Sequence, residues 1–311
     1  MTQNRRKFLK TLGGLGAMAA LGSIPAKLLA NQADDIVKLS ILSTNDVHSR
    51  IEPFPLNDKK YPGMAGFARR AAMIKKIRKE EEHVLLFDAG DIFQGTPYFN
   101  MFGGEIEFKL MTEMGYDAAT MGNHDFDNGL EGFNKQLPNA NFPFLTANYD
   151  FSNTLLKGKT QDYTIFQKGP IKVGVFGLGV ELDGLVSKNN YGNTIYQDPI
   201  LIGNNMADKL RSEGCHLIIC LSHLGYKYEN NKVSDVILAS KSKNIDLIIG
   251  GHTHTFLDKP DEIINEKGVK VLVSQTGWGG IQLGQLDFYF SKKYMQKVST
   301  IDTTKKVRSQ E

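Results

Sequence analysis

Cysteine is nearly absent: the 311 residues hold two, Cys215 and Cys220. They stand five apart in a run read as a strand, so their Cα atoms would lie ~16 Å apart and on opposite faces. A disulfide needs them within ~7 Å. A disulfide framework, a cysteine zinc knot and an iron–sulfur cluster are therefore excluded. No run of ~20 apolar residues exists that would span a membrane as a helix. The glycines between positions 171 and 178 alternate inside a strand-like run at the wrong spacing for G-x-G-x-x-G, which excludes a dinucleotide turn there. There is no internal repeat and no low-complexity tract. The balance of 41% hydrophobic and 23% charged residues is that of a folded globular chain.

Acidic residues are missing from the first thirty positions. That stretch opens with Asn4-Arg5-Arg6-Lys7-Phe8-Leu9-Lys10 and continues into a weakly apolar run from Leu12 to Ile24, the pattern of a twin-arginine export signal. Cleavage is expected after Ala30, although Leu28 fits the cut poorly. No cysteine lies near the signal's end, which argues against a lipid anchor. The expected organisation is a signal at 1–30, one domain at 31–300 and a polar tail at 301–311 with no fold of its own. Removing the signal takes away five cations and moves the formal charge from +3 to −2. The remaining protein makes no electrostatic case for binding a nucleic-acid polymer or for stable membrane insertion. A folded protein delivered to the periplasm with its metal already inserted is the expectation.

What the chain does hold is seven histidines, and five follow apolar runs in short polar motifs: His48, His124, His223, His252 and His254. His83 and His216 stand in ordinary contexts and read as solvated or core-packed. A strand at 36–42 empties into Ser43-Thr44-Asn45-Asp46-Val47-His48. Asp46 and His48, two apart, share one side of an extended segment and can grip one cation. A buried strand at 84–87 ends in Asp88-Ala89-Gly90-Asp91. Asp91, flanked by small residues, is the candidate carboxylate for bridging two cations, while Asp88 braces the loop. The run from Asp117 to Met121 stops at Gly122-Asn123-His124-Asp125-Phe126-Asp127. There Asn123 offers a neutral oxygen, His124 a proton donor, and Asp127 a partner to orient its imidazole. Strands at 217–221 and 245–249 end in Ser222-His223 and in Gly250-Gly251-His252-Thr253-His254. Buried strand, small residue, ligand: the repetition suits an α/β sheet with its chemistry at the strands' carboxyl ends.

Helices are expected at 64–82, 104–114, 198–213 and 233–242, with Arg69, Arg70, Lys75 and Lys76 forming a solvated face of the first. Further strands are expected at 141–148, 171–178, 269–274 and 281–290. Trp278, the single tryptophan, is expected to pack in the loop joining the last two. The collected ligand set is Asp46, His48, Asp91, Asn123, His223, His252 and His254. It is too large for one cation and suits two that share a carboxylate. Without a thiolate, Mn, Zn, Fe, Co and Ni all remain open. Two such metals bind both oxygens of an in-line displacement and acidify the water between them. His124 stands outside the set as general acid for the departing oxygen, oriented by Asp127.

These motifs resemble the calcineurin-type binuclear metallophosphoesterases. More narrowly, Thr44-Asn45-Asp46-x-His48 and Gly122-Asn123-His124-Asp125-Phe126-Asp127 are similar to the 5′-nucleotidase/UDP-sugar hydrolase branch. The resemblance covers residues ~36–292 in five ordered motifs and implies a four-layer αββα sandwich. It implies that one metal takes Asp46, His48, Asp91 and His254 and the other Asp91, Asn123, His223 and His252. His124 with Asp127 would be the catalytic pair, and Asn45 part of the first motif without being a ligand. The implied activity is hydrolysis of phosphate mono- or diesters, nucleotides foremost. Ser49 departs from the family's usual glycine and is expected to crowd the mouth of the site. Members of this branch normally continue into a second, base-binding domain, so a separately encoded partner is the expected source of it. The competing readings are a thiosulfohydrolase acting on a carrier-bound sulfonate and a metal-binding scaffold without catalysis. A redox di-iron site is disfavoured because Gln94 stands where a tyrosinate ligand would be wanted.

Overall fold

A computed structural model describes residues 35–308. The export signal expected at 1–30, and positions 309–311, lie outside the described residues. Strand β1 (Ile36–Thr44) is the axis of the first sheet, pairing parallel with β2 (Val84–Asp88), which in turn pairs parallel with β3 (Ala118–Ala119). The second sheet runs β5 (Tyr163–Lys168), β6 (Ile171–Leu178), β8 (Leu217–Ser222), β9 (Leu247–Gly250), β11 (Lys270–Ser274), β10 (Asp261–Ile264) across its width. Its four middle strands are parallel. Back on the first sheet, β12 (Gln282–Ser291) pairs antiparallel with the other edge of β1, and β13 (Lys297–Asp302) and β14 (Lys305–Lys306) pair with β12. A small ribbon joins β4 (Tyr149–Asp150) to β7 (Ile195–Tyr196).

Alternation along the strands decides the layering. Leu39 and Ile41 of β1, with Leu85 and Phe87 of β2, face Val173, Leu217 and Ile219 of the second sheet. The intervening residues Leu42, Val84 and Leu86 point the other way. They meet helices α1 (Phe67–Glu80), α3 (Glu105–Met114) and α4 (Gly129–Gln136), while the short α2 (Pro97–Phe102) precedes α3. On the second sheet Phe176, Ile218 and Ile248 meet α6 (Pro199–Ser212) and α7 (Asp235–Lys241). A brief α5 (Lys188–Tyr191) sits between β6 and β7. Both sheets are thus apolar on both faces, as strands covered on two sides require. The result is helix, sheet, sheet, helix, as expected. Among the described residues no helix is long and apolar enough to cross a membrane.

Four expectations need correction. The tail from 301 does have structure: Lys305 and Lys306 pair with Gln282 and Leu283. Val307 is fully buried, donating to the Ile281 carbonyl at 2.8 Å and accepting from Ala65 at 2.7 Å. The lysine side chains reach solvent while their backbone completes the sheet, and charge concealed the pairing. The segment 141–148 is not a strand but makes only isolated bridges at Phe144 and Leu145, since Pro143 has no N–H to continue a ladder. Arg70 is no surface cation; it is fully buried with its guanidinium 4.1 Å from the Phe67 ring and without a hydrogen-bond partner. Cys215 and Cys220 are free and buried as expected, but both join the helix-side core of the second sheet, because the strand begins only at Leu217.

Glu107 on α3 is a second buried ionisable side chain, packed beside the Ser49 hydroxyl. Burial pushes its carboxyl up from the ordinary glutamate value, with the neighbouring Ser49 hydroxyl opposing the rise. The folded chain therefore holds a proton here that the unfolded chain releases first. This contribution favours folding at acid pH and is lost as pH rises from the unfolded value through the folded one. Glu107→Leu is expected to raise the melting temperature by about 2–4 °C near pH 8. The gain should shrink at pH 5, and thermal unfolding of both proteins at the two pH values checks it. An equal gain at both would contradict a raised Glu107 carboxyl.

Candidate metal centre

The candidate ligands leave the carboxyl ends of parallel strands, from both sheets. β1 delivers Asp46 and His48, β2 delivers Asp91 and β3 delivers Asn123; β8 delivers His223 and β9 delivers His252 and His254. Backbone bonds draw the loops together: Asp46 N–H donates to the Gly90 carbonyl at 2.9 Å and His48 N–H to that of Asp91 at 3.1 Å. His252 N–H donates to both oxygens of the Asp46 carboxylate at 3.0 Å, which ties the second sheet to the first.

Local backbone is bent to do this. Asp46, His48, Asp91, His252 and His254 all have φ between 48° and 72°, the left-handed region. Such residues cost on the order of 1–3 kcal/mol each and persist where the surroundings over-determine them. Gly122 is required for close approach, because a Cβ there would stand 2.1 Å from Asp91 Oδ1.

The side chains converge in two groups. The ligand atoms of Asp46, His48 and His254 lie within 4.8 Å of one another, and so do those of Asp91, His223 and His252. In the first group His254 Nε2 stands 3.3 Å from Asp46 Oδ1 and 2.9 Å from His48 Nε2. In the second, His223 Nε2 stands 3.1 Å from Asp91 Oδ2, and His252 Nδ1 meets Asn123 Oδ1 at 2.7 Å. Asp91 Oδ2 also lies 3.9 Å from His48 Nε2, and Asp46 Oδ1 lies 4.0 Å from His223 Nε2, so both carboxylates border both groups. All seven predicted ligands are brought together.

Donor chemistry fits cations. His223 Nδ1 donates to the Ala89 carbonyl at 2.7 Å, so a neutral ring turns its Nε2 lone pair towards Asp91. That nitrogen is fully buried without a hydrogen-bond partner. A lone pair facing a carboxylate is stable only with a positive charge between them. In the protein alone burial would lower this imidazole, but the Asp91 charge prevails and pushes it up to about 10. Burial lowers His48, and it lowers His252 to about 4 with help from His223, which keeps both rings neutral and ready to bind metal.

His124 sits at the rim, its ring edge-on to His48 at 5.3 Å. Its backbone N–H donates to Asp91 Oδ1 at 2.8 Å, and its Nδ1–H donates to Asp127 Oδ2 at 2.9 Å. Side chains of both residues are about a third exposed, at 37% and 32%. The hydrogen bond to Asp127 raises the His124 imidazole above the ordinary value, against burial.

Asn45 is not a ligand: its amide donates to Gly277 O and Asp46 Oδ2, both at 2.6 Å, and its carbonyl accepts from Thr276. Asp88 braces its loop by accepting from Thr44 and Gly90. Ser49 does not crowd the mouth, since its side chain is fully buried beside Glu107. Trp278 joins the loop cluster around Phe54 and also stacks on His254 at 5.8 Å. His216 accepts from the Lys172 backbone, and His83 packs near Gly169; neither reaches the centre. Sequence reasoning missed Asp125. This buried carboxylate accepts N–H groups from Gly122, Asp91, Ile92 and Phe93 at 2.8–3.1 Å and fixes the Asp91 loop. Its only signal was a place inside the Gly122–Asp127 motif.

Known proteins are similar in sequence and fold. Snake venom 5′-nucleotidase of Crotalus adamanteus is 36% identical over 277 residues, which is 82% of this chain and 46% of that protein. The solved 5′-nucleotidase precursor of Thermus thermophilus superposes with a TM-score of 0.79 at 30% identity, covering 87% of this chain and 55% of that one. The solved calcineurin-like phosphoesterase YfkN of Bacillus subtilis gives 0.72 at 27% identity, covering 88% and 91%. The chain thus spans about half the length of the nucleotidases it matches. The sequence profile of the calcineurin-like phosphoesterases matches residues 39–256, a stretch that begins in β1 and ends just past His254. That stretch is more than half of the chain, and the chain belongs to the calcineurin-like phosphoesterase family.

Proposed function

We propose that this protein is an exported, dimetal-dependent phosphoesterase that hydrolyses phosphate mono- or diesters, nucleotides foremost. The supporting observation is the Asp91 carboxylate, 3.1 Å from His223 and 3.9 Å from His48 through the same oxygen, with the His124–Asp127 pair at its edge. Asp46, His48 and His254 with Asp91 would hold one cation, and Asp91, Asn123, His223 and His252 the other. When bound, two divalent cations polarise the phosphoryl oxygens and lower the pKa of a water between them. The chain's own residues do the rest. Asp125 and the strained loops fix the ligands before substrate arrives, so no reorganisation is needed during reaction. His124 delivers its Nε2 proton to the departing oxygen while Asp127 holds the ring.

Export rests on the twin-arginine motif, and fractionation of cells expressing the full chain tests it; retention in the cytoplasm would remove the periplasmic assignment. The nucleotide class is supported by the nucleotidases that the chain resembles.

Purified full-length protein loaded with Mn²⁺ is expected to hydrolyse p-nitrophenyl phosphate and to lose that activity in a chelator, recovering when metal is returned. Metal analysis and a phosphoester panel on one preparation check this. Folded protein that binds divalent metal yet turns over no phosphoester would sink the proposal.

A further inference from the structure

The loop Gly277-Trp278-Gly279-Gly280 takes no part in the chemistry above, yet it is built against the first ligand group. Its three glycines all stand in the left-handed region, at φ 77°, 62° and 67°. A Cβ on Gly277 would lie 2.1 Å from the Phe256 ring, so the chain turns there only without a side chain. Three bonds fix the loop to the ligand-bearing segments. Gly279 N–H donates to the Asp46 carbonyl at 2.7 Å, Asn45 Nδ2 to the Gly277 carbonyl at 2.6 Å, and Gly277 N–H to the Thr255 carbonyl at 2.9 Å. Both neighbours of Trp278 are thus tied to Asp46 or to residues beside the ligands. The outcome is a near-parallel stack, with the indole and the His254 imidazole 14° apart in plane and their centroids at 5.8 Å. Phe54 backs the indole edge-on at 5.4 Å, and Tyr61 does so at 6.2 Å.

His254 needs such support more than the other histidines of the centre. A ligating imidazole is ordinarily aimed by a hydrogen bond from its second ring nitrogen. His48 Nδ1 donates to the Phe93 carbonyl at 3.3 Å, and His223 Nδ1 donates to that of Ala89 at 2.7 Å. His254 makes its polar contacts through Nε2, to Asp46 and His48, and its Nδ1 has no hydrogen bond among the described residues. Of the seven candidate ligands it alone is exposed, with 41% of its side chain reaching solvent. Stacking holds the plane of the ring, and that plane decides where the Nε2 lone pair points.

We propose that Trp278 is a positioning residue: its indole face holds the His254 ring so that Nε2 points at the first cation, in place of the hydrogen bond that fixes His48 and His223. The assignment rests on the two-cation reading of the site, but its test needs no turnover. Full-length protein stripped with chelator is titrated with Zn²⁺ by isothermal titration calorimetry, and the unaltered chain is expected to bind two equivalents. Trp278→Leu and Trp278→Met keep an apolar side chain against Phe54 but present no flat face. Each should weaken one equivalent about tenfold, the lower end of what losing a ligand's support costs, and leave the other unchanged. The weakened equivalent should be the one that His254→Ala also weakens. Trp278→Phe returns a ring to the stack and should bind both equivalents within about threefold of the unaltered chain. In a His254→Ala background Trp278→Leu should have no further effect, because the ring it acts through is gone. Equal weakening of both equivalents would mean a general structural role and overturn the proposal. So would unaltered binding in the leucine and methionine variants, a phenylalanine variant as weak as they are, or a full tenfold loss added to that of His254→Ala. A chain that binds no Zn²⁺ overturns the two-cation reading itself, and the role of Trp278 falls with it.

Discussion

Asp91→Asn is expected to lower kcat/KM on p-nitrophenyl phosphate by at least ~10³-fold, because several kcal/mol of charge stabilisation are at stake and each 1.36 kcal/mol is tenfold. The substitution keeps the shape of the side chain, and its Oδ1 can still accept the His124 N–H that the carboxylate accepts at 2.8 Å. What it removes is the negative charge at a position that lies 3.9 Å from His48 in one group and 3.1 Å from His223 in the other. An amide NH₂ in place of Oδ2 would also turn protons towards the His223 and His48 lone pairs. Metal retained by the folded chain should therefore fall from two equivalents to fewer than one, measured by elemental analysis after gel filtration. Unchanged thermal unfolding would show that the loss is local. A variant that keeps two metals and parental turnover would remove Asp91 from the centre of the site.

The strength of that effect follows from how the site is held. Five of the seven candidate ligands occupy left-handed backbone, and the loops stay in place through long-range bonds such as those to Asp125. A carboxylate accepting four backbone N–H groups in the interior cannot be replaced by water, because water does not reach it. The centre is thus stiff before it binds anything, and an electrostatic change at one ligand is not absorbed by movement of the others.

Much of this was legible in the chain itself. The buried strands at 84–87 and 217–221 are short continuous apolar runs, and the polar residue after each, Asp88 or Ser222, is where the strand ends. His252 and His254 follow two glycines that have little structural use elsewhere, so both could be picked out locally as candidate ligands. Asp125 could not. Its partners Asp91, Ile92 and Phe93 lie more than thirty residues earlier, and nothing in local spacing distinguishes a carboxylate that braces backbone from one that binds metal. Arg70 and Lys305 differ from expectation for another reason. Charge predicts a solvated side chain, yet Arg70 is enclosed by the Phe67 ring and the backbone near Gly280, and Lys305 sits in a ladder that only its backbone joins. Ser49 follows His48 in sequence, but in left-handed backbone its side chain turns inward to Glu107 and away from the mouth.

His124→Ala is expected to reduce kcat/KM for a nucleoside monophosphate by ~10²–10⁴-fold, the span typical for a positioned proton donor, and to cost far less on p-nitrophenyl phosphate. The difference lies in the leaving groups. A nucleoside 5′-oxygen departs as a strongly basic alkoxide unless it receives a proton, whereas p-nitrophenolate is stable as an anion. In the proposed reaction His124 supplies that proton. Its Nδ1–H is committed to Asp127 at 2.9 Å, so Nε2 carries the transferable proton, and the hydrogen bond that orients the ring also favours its charged form. Asp127→Asn keeps the ring present but removes the charge that supports the imidazolium, and about a tenfold loss on the nucleotide is expected. Steady-state kinetics of both variants on the two esters decide the role. An equal loss on both would mean that His124 holds the phosphoryl group and does not protonate the leaving oxygen, and full activity on the nucleotide would exclude it from the reaction.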